Sequence, residues 1–313
     1  MKFERRIIGF NTTVEEEIPD DIFAFLSHPE FFNIICEQEL SKKIEGEQDA
    51  IQTIALVGFG GRLVQNCEPT STNLLVNSAS GSGKDWICKN TLSILPKEIY
   101  IKRTRISPTV FNYWHNSKFE PDWTWNEKVF YLEDISNPVL NSDVFKVMAS
   151  GGSVSTITIN QYAVDIEIKG KPVMITTTAA ATPNPELIRR FPIVSLDESI
   201  DQTKAIIKKQ AKFAVQGKTT EHNPKIKEAL GYLQTIKVKI PFAEILPELI
   251  PSNHIIMRTN FPRLLDYIKF SCALFQFQRK QDNEGYFLAT GQDYEYARKA
   301  IQKITGSGII SLT

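Results

Sequence analysis

The sequence has no apolar run near the roughly 20 residues that a membrane-spanning helix needs, and its first residues contain no signal-peptide core. These absences predict a cytoplasmic protein with no membrane partner. There is also no excess of either charge, since Lys+Arg and Asp+Glu both number 36. A balanced chain is not expected to coat nucleic acid with a uniformly basic surface. A local basic stripe, or a positive channel made by assembly, stays open.

Cysteine is scarce, and its spacing excludes a C-x-x-C metal or redox pair. The four cysteines are Cys36, Cys67, Cys88 and Cys272. Residues so far apart are not typical of a metal cluster or of a disulfide framework. We expect reduced and mostly buried thiols.

Strands alternating with helices characterise the middle of the sequence. Apolar runs typical of buried strands lie at 73–77, 98–102, 129–132, 172–178 and 191–196, with a helical pattern at 84–95. This alternation predicts an α/β fold with a parallel sheet flanked by helices. Two shorter alternating segments, 154–159 and 164–169, predict a β-hairpin. We expect a helical N-terminal segment over 1–65, a core over 66–200 and a mainly helical part over 201–313.

The most specific pattern is a strand that runs into a loop rich in glycine and serine. Residues 73–85 read Asn-Leu-Leu-Val-Asn-Ser-Ala-Ser-Gly-Ser-Gly-Lys-Asp. Such a loop can wrap its backbone N–H groups around phosphates, and its lysine can reach the terminal phosphates. Two residues depart from the usual phosphate-loop pattern, G-x-x-x-x-G-K-[ST]. Ser78 stands at the first glycine, and Asp85 stands where a Ser or Thr usually ligates Mg²⁺. The predicted phosphate-binding residues are Ser80, Gly81, Ser82, Gly83, Lys84 and Asp85.

Two acids end the apolar strand at 129–132, about fifty residues after the loop. Glu133 and Asp134 follow Val-Phe-Tyr-Leu. Beside a phosphate loop, one carboxylate can hold Mg²⁺ and the other can orient and polarise the attacking water. The alternative is that the acids only cap the next turn. We assign Glu133 to the metal, with Asp85 as a second carboxylate ligand, and Asp134 to the water.

Further polar residues follow the next strands. Val-Met-Ile-Thr-Thr-Thr ends in Thr177 and Thr178, which can hydrogen-bond the γ-phosphate or the water if parallel strands end at one crevice. Arg189 and Arg190 precede the strand at 191–196. Arginine stabilises charge on a transferring phosphoryl group, often from a neighbouring subunit. The alternatives are that threonine simply suits strands and that the arginines form surface ion pairs.

In this order, the motifs resemble AAA+ ATPases over roughly residues 30–305. Segment 150–190 resembles more narrowly the helicase branch that contains superfamily 3 and minichromosome-maintenance-like enzymes, including helicases of phages and mobile elements. That branch has a hairpin before its first sensor strand, and the hairpin projects into the channel of a hexameric ring. The resemblance implies an AAA+ P-loop core with a pre-sensor hairpin insertion and a helical C-terminal lid.

The resemblance also implies residue roles, cofactors and partners. Thr178 becomes the first sensor, Arg190 the finger acting in trans, and Arg263, in Arg-Leu-Leu-Asp-Tyr-Ile, the second sensor. The hairpin tip, Gln161 and Tyr162, meets single-stranded or forked DNA, and Lys169 and Lys171 contact phosphates from its base. The cofactors implied are ATP and Mg²⁺. The partners implied are further copies in a homo-hexamer, with the ATP site at the subunit interface, and a primase or DNA polymerase.

Other functions stay open at this stage. The chain is interpreted as an ATP-driven DNA helicase or translocase of a replication module. The alternatives are an AAA+ initiator, loader or regulatory ATPase that does not unwind, and a degenerate structural subunit, which Ser78 and Asp85 leave open. A P-loop kinase is disfavoured, because a monomeric kinase has no need of an arginine in trans. The hairpin tip can also be a plain surface turn.

Overall fold

The computed structural model describes residues 2–6, 13–114, 123–152, 154–159, 161–179, 185–217, 221–250 and 255–305. The strands are β1 (Lys2–Arg6), β2 (Thr13–Glu17), β3 (Asn73–Asn77), β4 (Tyr100–Arg103), β5 (Val129–Leu132), β6 (Val154–Ile159), β7 (Tyr162–Glu167), β8 (Val173–Thr178), β9 (Ile193–Val194), β10 (Val238–Lys239), β11 (Phe287–Leu288) and β12 (Ile304–Thr305). The helices are α1 (Asp20–Leu26), α2 (Phe31–Asn33), α3 (Gln48–Ala55), α4 (Lys84–Leu92), α5 (Asn137–Leu140), α6 (Asp143–Ala149), α7 (Pro185–Arg190), α8 (Ile200–Gln216), α9 (Pro224–Tyr232), α10 (Leu246–Leu249), α11 (Met257–Leu274) and α12 (Gly291–Lys303).

A six-stranded sheet forms the centre of the fold, in the order β12-β9-β3-β8-β5-β4. Strands β9, β3, β8, β5 and β4 are parallel, and β12 pairs antiparallel with β9 at the edge. The predicted α/β fold with a parallel sheet flanked by helices is therefore confirmed. The order places β8 between β3 and β5, so the polar end of β8 lies between the phosphate loop and the acids.

The sheet is buried on both faces, which explains the continuous apolar strands. Within β3, Leu74 and Val76 join one hydrophobic cluster and Leu75 joins the other. Side chains alternate between the two faces of a strand, so a strand covered on both sides needs apolar residues at successive positions. This packing fixes β3 rigidly beneath the loop that follows it.

The predicted hairpin is confirmed, and its second strand begins earlier than its pattern indicated. Strands β6 and β7 form a two-stranded sheet of their own, and Ile159 pairs with Tyr162. The expected second strand began at residue 164, but β7 begins at Tyr162. The backbone φ of Gln161 is 69°, a left-handed conformation that favours short turns. Tyr162 is therefore the first residue of a strand.

Other elements were not predicted. Strands β1 and β2 pair antiparallel within the N-terminal segment that was expected to be helical. Strand β12 returns from the helical C-terminal part to pair with β9 of the core. The C-terminal part is thus joined to the core by sheet hydrogen bonds as well as by packing.

Candidate nucleotide-binding site

The predicted phosphate loop connects β3 directly to α4. The strand ends at Asn77, and the helix begins at Lys84 with Gly83 as its N-cap. Gly81 and Gly83 have φ of +85° and +90°, and a Cβ on either would meet nothing within 4 Å. These positions need glycine for its backbone conformation, not for lack of space. The loop therefore ends on the positive end of a nine-residue helix, where anions bind.

Lys84 is a buried cation without an anion. The residue is 5% exposed. Within the described part of the chain, its ammonium forms no hydrogen bond or ion pair. Burying an unpaired charge is unfavourable, so this arrangement calls for an anionic ligand at the loop.

The carboxyl ends of three parallel strands bring the other predicted residues to the loop. Asn77 of β3 is paired with Thr178 of β8, and Leu132 of β5 is paired with Thr176. Glu133 and Asp134 follow Leu132, so they come level with the end of β8. The structure thus brings together the loop, the acids and Thr178, whose side chain is buried.

Asp85 is held by two hydroxyl groups: that of Tyr131, which sequence reasoning missed, and that of Thr177, which it assigned to the γ-phosphate or the water. Tyr131 donates from 3.2 Å to the Asp85 Oδ1 atom, and the hydroxyl of Thr177 donates to the same oxygen. Thr177 Oγ1 also accepts from the Asp134 N–H at 2.8 Å. Burial raises the pKa of Tyr131, which keeps it a donor. Strand alternation was the available signal, because it places Tyr131 and Thr177 on the α4 face.

These residues fit a magnesium ion. Both hydrogen bonds fall on the Asp85 Oδ1 atom, and among the described residues Oδ2 has no partner. Hard carboxylate oxygens suit Mg²⁺, which usually takes one or two of them together with phosphate oxygens. Glu133 is the second candidate ligand, and in this structure its carboxylate pairs with the Lys102 ammonium at 2.6 Å.

Asp134 has the backbone of a strained functional residue. Its φ is +46°, which is uncommon for a residue with a side chain. The side chain is exposed, and its carboxylate has no partner in the part of the chain that the structure describes. It is therefore free to accept a proton from a water molecule.

A pocket of about 450 Å³ adjoins the loop on the side of α8. Trp86 on its rim is 52% exposed, and its indole N–H donates to the Lys43 carbonyl at 3.2 Å. The apolar part of the lining consists of Ile44, Trp86, Ile87, Ile206 and Phe213. An apolar pocket beside a phosphate loop suits a planar nucleobase.

Two predicted arginines lie away from the loop. Asn73, at the opposite end of β3, donates to the Arg190 carbonyl at 2.9 Å. The Arg190 guanidinium pairs with Glu186 at 3.2 Å.

Arg263 is buried and donates to Asn260 and to the Arg189 carbonyl, and its burial lowers its pKa. The structure does not bring Arg263 to the nucleotide of its own chain, as a second sensor requires, because it is buried against Arg189, at the end of β3 opposite to the loop.

The hairpin residues divide into exposed and internal ones. Gln161 and Tyr162 are at the surface, and Tyr162 is 75% exposed. The Lys169 carbonyl accepts from Trp125 and Thr124.

The Lys171 ammonium is internal and donates to Thr72, Asn73 and the Pro172 carbonyl at 2.6–3.0 Å. Lys171 is half-buried, and these hydrogen bonds anchor it at the start of β8.

The internal position of Lys171 predicts a pH dependence of stability. Burial lowers the pKa of Lys171 to about 7, from 10.5 in the unfolded chain. Between these values the unfolded state binds more protons, so stability rises with pH. We expect the free energy of unfolding of the wild type to increase relative to that of Lys171→Met as the pH rises above 7. Denaturant titrations at pH 6.5 to 9.5 measure this, and a constant difference would contradict it.

Comparison with known proteins agrees with this geometry at the level of the family. Residues 19–233 match the MTBMA_p00010 P-loop domain family, which is more than two thirds of the 313 residues. No curated protein matches the chain. Within the described residues, no helix is long and apolar enough to span a membrane. The loop and the extent of the match give the conclusion that this chain is a P-loop nucleotide-binding NTPase domain and belongs to the MTBMA_p00010 P-loop domain family.

Proposed function

We propose that the protein is an ATP-hydrolysing AAA+ motor of the superfamily 3 and minichromosome-maintenance-like branch, which assembles as a homo-hexamer and moves DNA. One observation supports this most directly. Lys84, Asp85, Glu133, Asp134 and Thr178 converge at the carboxyl end of the sheet. A strand with a hydroxyl-bearing end lies between the loop and the acids, as an AAA+ sensor strand requires.

The site residues have distinct roles in the proposed hydrolysis. The loop N–H groups and Lys84 hold the β- and γ-phosphates, and Asp85 and Glu133 would hold Mg²⁺. When bound, Mg²⁺ neutralises charge on the phosphate oxygens. Asp134 orients a water that attacks the γ-phosphorus and accepts its proton, while the bond to the bridging oxygen breaks and ADP leaves. Thr178 contacts the γ-phosphate or the water.

Asp134→Asn is expected to lower the hydrolysis rate about 100-fold while ATP binding is retained. The amide has the same shape and tolerates a left-handed backbone, but it cannot accept the proton. Rates should be measured over a range of Mg²⁺ concentrations beside Glu133→Gln. Added Mg²⁺ is expected to restore part of the activity in Glu133→Gln and none in Asp134→Asn. The reverse pattern would exchange the two roles.

The hairpin supports the DNA-directed part of the proposal. Among the described residues, β6 and β7 pair only with each other, and Tyr162 is exposed where an aromatic ring can stack on a base. The basic residues at the end of β4 contribute less. Lys102 pairs with Glu133, and the Arg103 guanidinium lies 4.9 Å from the centre of the Trp114 ring.

The second candidate is an AAA+ regulatory or loading ATPase that does not unwind DNA. The charge of the hairpin favours it, because strand β7 carries exposed Asp165 and Glu167. Acidic side chains repel the phosphate backbone that supplies most non-specific DNA affinity. Productive channel contacts would then be weak.

An ATPase assay with and without single-stranded DNA, together with the mass of the protein in the same samples, tests the proposal. A motor is expected to form a nucleotide-dependent oligomer and to hydrolyse ATP faster with DNA. An oligomer whose hydrolysis ignores DNA would support the regulatory ATPase. A stable monomer with full activity would overturn both.

A further inference from the structure

Glu198 is a carboxylate that holds the phosphate loop. Its Oε1 atom accepts hydrogen bonds from the Ser78 hydroxyl at 2.5 Å and from the Ala79 N–H at 2.8 Å. The Ser78 hydroxyl, followed by the Ala79 N–H, lowers the pKa of Glu198, so the group is ionised at neutral pH. We call these two hydrogen bonds the clasp. They place a negative charge on a loop whose expected ligand is an anion.

The clasp explains one of the two unusual residues of the loop, Ser78. Ser78 stands at the position of the first glycine, which carries no side chain. Its hydroxyl is one of the two donors to Glu198. The serine is therefore explained by a contact outside the loop, and Glu198 lies 120 residues later, beyond any local motif.

Glu198 also lies at the start of α8. The next residue, Ser199, caps that helix by accepting from the Gln202 N–H at 3.2 Å. None of the 17 residues of α8 is buried. Polar contacts attach the helix to the core, including Gln202 to the Glu45 carbonyl at 2.8 Å and Lys209 to the Ile44 carbonyl at 2.7 Å. A helix so little packed is sensitive to the loss of a contact at its end.

We propose that the clasp and a bound nucleoside triphosphate oppose each other, so that filling the loop weakens the attachment of α8. The inference rests on the proposed ATPase function and adds a regulatory contact to that site. Like charges at one loop repel, and the repulsion increases with the charge of the ligand. Coupling between two sites is reciprocal, so a clasp that weakens nucleotide binding is itself weakened by the nucleotide.

Glu198→Gln tests the charge and keeps the shape. Glutamine retains the acceptor oxygen, so both hydrogen bonds can form while the negative charge is absent. Asp201→Asn is the matched control, because Asp201 lies in the first turn of α8, is exposed and pairs only with Lys204 among the described residues. Equilibrium binding of AMP, ADP and a non-hydrolysed ATP analogue to the full chain gives the readout.

For Glu198→Gln we expect about fivefold tighter binding of the ATP analogue, a smaller gain for ADP and little for AMP. Asp201→Asn is expected to change each affinity less than about twofold. A gain that increases with phosphate charge distinguishes repulsion from general loosening of the loop, which would affect the three ligands alike. Equal gains for the three ligands, no gain for the ATP analogue, or the same gain in Asp201→Asn would overturn the inference.

A double-mutant cycle tests the contact itself. If Ser78 acts through Glu198, Ser78→Ala will change ATP affinity in the wild type and have no further effect in Glu198→Ala. Additive effects would show that Ser78 acts independently and would overturn the clasp. Lys84→Ala separates this inference from the proposed function. If Lys84→Ala binds ATP as tightly as the wild type, both the proposed function and the clasp are overturned. If Lys84→Ala weakens ATP binding but Glu198→Gln leaves it unchanged, the clasp alone is overturned.

Discussion

Lys84→Ala is expected to lower ATP hydrolysis about 10³-fold, by removing the one side-chain cation that the phosphate loop supplies. Lys84 is 5% exposed and has no partner among the described residues, so its charge is available to the β- and γ-phosphates. Phosphate release under saturating ATP and Mg²⁺ gives the rate, and nucleotide titration gives the affinity. Both should fall, because the ammonium contacts the bound ground state as well as the transition state.

Two controls separate this effect from misfolding. Lys89→Ala removes the same side chain from an exposed position of α4 and should leave hydrolysis unchanged. Lys84→Ala itself should unfold at the same temperature as the wild type or higher, because it removes an unpaired buried charge. A marked loss of thermal stability, or undiminished hydrolysis, would contradict the assignment of Lys84 to phosphate.

The sheet and the loop could be predicted because their signals are local. A strand covered on both faces must be apolar at successive positions, and this identified β3, β5 and β8 to within one residue. The loop needs glycine where φ is positive, which Gly81 and Gly83 supply. Carboxyl ends of parallel strands meet at one edge, and this rule predicts that Glu133 and Asp134 lie beside the loop.

Contacts between distant residues could not be predicted in the same way. Lys171 was predicted to contact DNA phosphates and Arg263 to approach the nucleotide, yet each donates to neutral oxygen atoms of residues that lie far away in the sequence. Lys171 donates to Thr72 and Asn73, and Arg263 donates to the Arg189 carbonyl. Strand β12 has only two residues, too few to show a period. Glu198 contacts Ser78 although 120 residues separate the two in the sequence. In each case tertiary packing, not local preference, determines the outcome.

The contacts of Asp85 explain the second unusual residue of the phosphate loop. A Ser or Thr at this position offers one neutral oxygen to Mg²⁺, whereas Asp85 offers a carboxylate already oriented by Tyr131 and Thr177. The same Thr177 hydroxyl accepts from the Asp134 N–H. Asp85, the expected metal ligand, and Asp134, the expected base, are therefore both hydrogen-bonded to Thr177. A substitution at Thr177 is therefore a change to both groups.

Arg190→Ala is expected to reduce hydrolysis about 10³-fold while nucleotide binding persists, because the arginine acts on the site of a neighbouring subunit. Within one chain it cannot do so. Its carbonyl is bonded to Asn73 at the start of β3, and the five residues of that strand place the loop at least about 13 Å away. Glu186→Gln breaks the same ion pair but keeps the arginine, so it should hydrolyse ATP normally.

Mixing the two inactive variants decides whether the arginine acts in trans. A subunit with Arg190→Ala retains Lys84, and one with Lys84→Ala retains Arg190, so a site between them contains both groups. In head-to-tail rings formed from equal amounts, about one site in four has this composition. Activity should therefore recover to roughly a quarter of the wild-type level if sites act independently. A mixture as inactive as its components would show that no subunit completes the site of another, and would remove the main reason for a ring.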